Sequence, residues 1–149
     1  MKTRSVPLLV ASCLLGGVVG FVVITGPWLL KYQYPGSLTE LVRSSVEHFS
    51  LLSFLLLFLS GLFFGLVFER PYSLSSSVSQ VATLPVFAFT EIVKDPTSHN
   101  LWPIEFIQYA FLALVPLTGM ELGLKIKTYF QSRRATRDDL PSKQGWPSE

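Results

Sequence analysis

Residues 74–93, LSSSVSQVATLPVFAFTEIV, decide how many times this chain can cross a bilayer, and so its topology. Ser75, Ser76, Ser77, Ser79, Gln80, Thr83 and Pro85 dilute an otherwise apolar stretch until insertion on its own is marginal. Such a segment needs help from neighbouring helices. Before it stands FSLLSFLLLFLSGLFFGLVF, residues 49–68, uncharged over a length that spans roughly 30 Å of hydrocarbon as a helix and stopped by Glu69-Arg70-Pro71. After it, Asp95 to Asn100 reads as a turn, and residues 101–124 form a last apolar segment carrying Glu105, Gln108, Pro116 and Glu121.

The N-terminal part follows the same pattern. Residues 6–30 are almost uninterrupted Val, Leu, Ile, Gly and Phe without a charge, preceded by Lys2 and Arg4. The run is longer than the roughly 7–15 residues of a secretory signal core, so it reads as a retained anchor. Val10-Ala11-Ser12-Cys13 resembles a lipoprotein cleavage box, but the apolar core before Cys13 is too short for one and the run continues well beyond it. Residues 31–48 are polar, open on Tyr34-Pro35-Gly36-Ser37, and read as an extramembrane loop with room for a short helix.

Composition agrees with a membrane solvent. Of 149 residues 49% are hydrophobic and 15% charged, with a mean hydropathy of +0.44, which leaves little chain for a soluble catalytic domain. The net charge of +2 is too small to imply a nucleic-acid partner. A single cysteine, Cys13, excludes an intrachain disulfide and a cysteine-based zinc site.

Charge settles whether residues 74–93 cross. With four crossings, Lys2, Arg4, Arg70, Lys125, Lys127, Arg133, Arg134, Arg137 and Lys143 share one side, against Lys31, Arg43 and Lys94 on the other. With three crossings the bias reverses. The expected fold is therefore all-α: an integral membrane bundle of four transmembrane helices in up-down order (about 6–30, 49–68, 74–93 and 101–124), with N- and C-termini cytoplasmic. Residues 1–124 form the transmembrane domain, and 125–149 a basic, polar cytoplasmic tail expected to be disordered beyond its first turns. Trp28 and Trp102 then fall together at the outer boundary, as an aromatic belt requires. The short basic N-terminus suits a bacterial inner (plasma) membrane.

Ser12, Gly16 and Gly20 recur every fourth residue, as do Gly61 and Gly65, so each set marks a helix face on which backbones can approach closely, within this chain or against another subunit. Gln80 and Ser79, with Glu91 and Glu105 toward the outer side, could form a polar pathway; packing inside the bundle and back-bonding to helix carbonyls around Pro85 explain the hydroxyls better. Pro103 suits a first helical position, which puts Glu105 in a first turn as a capping acid, and Glu121 can pair with Lys125 one turn on. His48, Asp95 and His99 are candidate outer-face metal ligands, although the two histidines belong to different loops and the spacing of Asp95 and His99 matches no metal motif. No phosphate-binding glycine loop, paired nucleophile and base, or pair of central carboxylates is present, which disfavours an enzyme, and no cofactor is implied. The expected function is a non-catalytic accessory, assembly or structural subunit of a membrane complex. The alternative is a small transporter or channel subunit with a polar third helix. Expected partners are membrane lipids and other membrane subunits or further copies of this chain.

Overall fold

The computed structural model describes residues 5–94 and 102–138, which form five helices and no strand: α1 (Ser5–Leu29), α2 (Leu38–Glu47), α3 (Leu51–Val67), α4 (Arg70–Lys94) and α5 (Trp102–Asp138). Local chemistry places most of the boundaries. Gly36 turns the chain with φ of 92°, a conformation that side chains with a Cβ rarely adopt. Ser37 caps α2 by accepting the Glu40 N–H at 3.2 Å, and Ser50 caps α3 by accepting from Ser53 N–H at 3.2 Å. Extended backbone at Phe68 ends α3. Pro71 then sits in the first turn of α4, where its missing N–H leaves no bond unmade. Pro85 and Pro116 lie inside α4 and α5, each of which continues past its proline.

Three stretches of helix are long and apolar enough to cross a membrane: Val6–Leu29, Arg70–Val93 and Ile104–Arg134. The α2–α3 pair, bent by 103°, makes a fourth candidate. The 17 residues of α3 measure about 25 Å at 1.5 Å per residue, so α3 forms the apolar rod while α2 lies across its end.

Sequence neighbours do not pair most closely. The tightest contacts join α1 to α4 and α3 to α5, while α4 also touches α2, α3 and α5. Glycine explains both close pairs. A Cβ on Gly16 would overlap the Ser76 carbonyl and Ser79 Oγ, and one on Gly20 would overlap the Gln80 backbone. In the second pair the glycines come from both sides: Gly61 and Gly65 face the Pro116 and Met120 carbonyls, while Gly119 and Gly123 face those of Phe58 and Leu62. Such approach gains dispersion contacts where burying apolar surface in lipid gains nothing. Ser76 Oγ adds a bond across the first pair, donating to the Ser12 carbonyl at 2.9 Å.

The least apolar of the three long stretches, α4, touches every other helix. Of the long apolar stretches α4 is the most buried, and its Ser73, Ser76, Ser77, Ser79 and Gln80 are all at most 6% exposed. Lipid repels these groups, so the segment least able to insert alone is the one its neighbours enclose. At the other extreme, Leu14, Val18, Leu51, Phe63, Val86 and Phe111 stand exposed on the outside of the bundle.

The last helix is longer than its apolar segment. Helix runs on past Leu124 to Asp138, giving 37 residues or about 55 Å against roughly 30 Å of hydrocarbon, and the rest of the tail lies outside the described residues. Lys127 ties this extension down by donating to the carbonyls of Val67 (3.3 Å) and Phe68 (3.1 Å) at the end of α3, where a cation also complements the helix dipole. Lys, Gln, Arg and Ala in residues 125–138 are good helix formers, with no Gly or Pro among them. Glu121 is reached at 3.2 Å by Arg70 rather than by Lys125, because the start of α4 lies beside this turn of α5.

Candidate functional site

The polar side chains that a functional site would use fall into two separate places. The first is a chamber of about 360 Å³ between α2, α4 and α5. Its position follows from α2, whose Leu41, Val42 and Ser45 are buried against the bundle while Arg43 and Glu47 project on the exposed side. Arg43 Nε donates to Glu47 Oε1 at 3.0 Å, one helical turn away. That bond, then the Glu47 charge, raises the Arg43 pKa above its ordinary value, with smaller contributions from the charges of Glu91 and Glu105. Opposite Arg43 the chamber is walled by Glu91 of α4 and by Glu105, Gln108 and Tyr109 of α5. Three carboxylates against one guanidinium leave the lining acidic. Glu105 lies in the first turn of α5, as a capping acid should.

The floor of this chamber is apolar: Val42, Leu84, Phe87 and Ala88. Beneath it, Ile24, Val42, Leu57, Val81 and Leu84 form one buried cluster, with Phe87, Tyr109 and Leu112 packed against it. Only on the far side of this layer, one helical turn below Leu84, comes the second polar place. There Ser60 Oγ lies 2.6 Å from Gln80 Oε1 and 2.9 Å from its own Leu57 carbonyl, two acceptors sharing one hydroxyl proton. Gln80 Nε2 and Ser77 Oγ are buried and have no hydrogen-bond partner among the described residues. Each such donor left unpaired costs on the order of 1–3 kcal/mol. Three other hydroxyls of α4 are spent locally, Ser73 Oγ donating to Arg70 O, Ser79 Oγ to Ser76 O, and Thr90 Oγ1 to Phe87 O, while Ser76 Oγ donates across to Ser12 O of α1.

The four polar positions singled out in the sequence are thus divided. Glu91 and Glu105 share the outer chamber, whereas Gln80 and Ser79 lie below the apolar layer, Gln80 toward α3 and Ser79 against Gly16 of α1. Of the candidate metal ligands, His48 is exposed at the end of α2, its Nδ1 3.0 Å from the Ser44 carbonyl and its ring 6.0 Å from that of Tyr32, while Asp95 and His99 lie outside the described residues. Among the described residues no group of three or more His, Cys, Asp or Glu could hold a metal ion.

Sequence reasoning missed Arg43, Gln108 and Tyr109 as chamber residues, and Ser60 as the partner of Gln80. The amphipathic spacing of Leu41, Val42 and Ser45 signalled a packed α2, which would have turned Arg43 and Glu47 to the solvent side. The grouping of Glu105 with Glu91 pointed to α5 for the opposite wall, but nothing in the sequence signalled Gln108 and Tyr109 there. No family model, no curated protein and no solved structure matches this chain.

Proposed function

We propose that the protein is a non-catalytic accessory or assembly subunit of a membrane complex. In this reading it crosses a bacterial inner membrane four times, with α2 and the acidic chamber outside and both termini in the cytoplasm. The observation that supports it is the apolar layer of Ile24, Val42, Leu57, Val81 and Leu84, which lies between the outer chamber and the polar residues around Gln80. A chain that conducts a solute by itself needs those two polar regions joined. Here packing separates them, and the serines of α4 serve helix contact instead.

The test is purification of the tagged native protein in mild detergent, with mass spectrometry of what copurifies. Other membrane subunits in fixed stoichiometry are the expected result. A homogeneous particle of this chain alone that conducts a solute after reconstitution would refute the reading.

One observation favours the second reading, a small transporter or channel subunit. Two unpartnered buried donors, Ser77 Oγ and Gln80 Nε2, stand close together in sequence on the central helix, where a solute passing in a second conformation would find them.

A further inference from the structure

At the end of the bundle opposite the acidic chamber, the start of α4 and the extension of α5 enclose an open groove of about 490 Å³. Arg70, Glu121, Lys125, Thr128 and Tyr129 line it. Its charges are all accounted for. Glu121 is engaged by Arg70 at 3.2 Å, an exposed pair that holds the guanidinium in place while using one of its five N–H donors. Lys125 is exposed on the same side, one turn after Glu121. The lining therefore carries one net positive charge, and Arg133 stands beside it on α5. Arg133 rests 4.9 Å from the centre of the Tyr129 ring. Thr128 Oγ1 gives its proton to the Leu124 carbonyl and Ser132 Oγ, also in the lining, gives its own to the Tyr129 carbonyl, each at 2.9 Å, which leaves the groove the donors of Arg70, Lys125 and the Tyr129 phenol.

Depth and direction identify the occupant. Tyr129 lies five residues beyond Leu124, about 7.5 Å at 1.5 Å per residue, which is headgroup depth if the apolar segment ends at Leu124. Tyr129 and Phe130 are 53% and 60% exposed, as aromatic side chains at that level are. In the other direction Phe111, Leu114, Thr118, Leu122, Lys125 and Tyr129 recur at spacings of three and four, a single stripe along α5, and Phe111, Leu114 and Leu122 are 66%, 52% and 42% exposed on it. A basic groove thus sits at the head of an exposed apolar track. A free anion would use the first and leave the second uncovered, whereas a phospholipid fits both.

We infer that this groove holds the headgroup phosphate of an anionic phospholipid, contacted by Arg70 and Lys125, with an acyl chain lying along the α5 stripe. The inference requires only that α5 crosses a bilayer and does not depend on the accessory-subunit reading.

Native mass spectrometry of the full chain in non-ionic detergent, titrated with phosphatidylglycerol, phosphatidylcholine or inorganic phosphate, tests it. One phosphatidylglycerol should bind saturably and at least tenfold more tightly than phosphatidylcholine. Lys125→Gln should weaken it about fivefold, the value of one basic side chain at an anionic surface, and Lys125→Arg should restore it. Arg137→Gln, on the extension beyond the groove, should change it less than twofold. Equal binding of the two lipids overturns the inference, as does an Arg137→Gln loss as large as that of Lys125→Gln, which means diffuse charge. Displacement of the lipid by millimolar inorganic phosphate overturns it in favour of a free-anion site. Lys125 is exposed, so its variants should fold, and unchanged helical content by circular dichroism checks this.

Discussion

Gly20→Ala should destabilise the bundle by about 2–5 kcal/mol, although alanine is the better helix former. The new Cβ falls on backbone atoms of Gln80, namely its carbonyl oxygen, Cα and carbonyl carbon, none of which can rotate aside. Ordinary contact begins at 3.4 Å, so α1 and α4 must part by about 1 Å at this point. A gap of that size forfeits on the order of a half of the dispersion well at each separated contact. It also stretches the Ser76–Ser12 hydrogen bond from 2.9 Å to beyond bonding distance, a bond worth about 0.6–1.7 kcal/mol between membrane helices. Adding the roughly 1–3 kcal/mol of overpacking a tight interface gives the stated range. Two other glycines of α1 are the controls. A Cβ on Gly17 meets nothing nearer than the Ser79 carbonyl at 3.9 Å, and one on Gly26 meets nothing within 4 Å, so alanine at either should be neutral or mildly stabilising. Reversible unfolding in bicelles measures all three variants on one scale. If Gly20→Ala proves as stable as Gly17→Ala, α1 does not pack on α4 as described, and the pairing of helices is wrong.

Two further perturbations separate the readings offered above. Gln80→Leu removes an unpartnered buried Nε2 and leaves Ser60 its bond to the Leu57 carbonyl, so stability should be unchanged or rise by up to about 1 kcal/mol, measured by thermal unfolding in detergent; loss of solute flux in reconstituted vesicles would instead favour the transporter reading. Lys127→Met removes the donor to the Val67 and Phe68 carbonyls and should cost about 0.5–1 kcal/mol, with faster amide exchange in the α5 extension than at its apolar middle; unchanged exchange there would show that the extension stands without this tie.

Much of the architecture was legible in the residues because long apolar runs make simple demands. A run such as residues 49–68 must satisfy its backbone internally, so it is a helix wherever it packs. The four-residue spacing of Ser12, Gly16 and Gly20 marked a close-packing face in the same way, since the period of a helix is a property of the chain. The polarity of residues 74–93 required shelter among neighbours, and α4 is the helix its neighbours enclose. Less legible were the ends of α5. Charge alone said that residues 125–138 leave the hydrocarbon, but the contact of Lys127 with the carbonyl end of α3 joins groups some sixty residues apart and has no local signal.

The sequence by itself determined the apolar helices, their approximate limits and the faces on which they could touch, because these follow from backbone hydrogen bonding and the 3.6-residue period. Only the tertiary structure decided which face met which. It paired α1 with α4 and α3 with α5, put an apolar layer between Glu91 and Gln80, and gave Glu121 to Arg70 instead of Lys125. Several helix pairings satisfy the same spacings of small residues, and the choice among them rests on side chains far apart in the chain fitting one another in space, which no local pattern encodes.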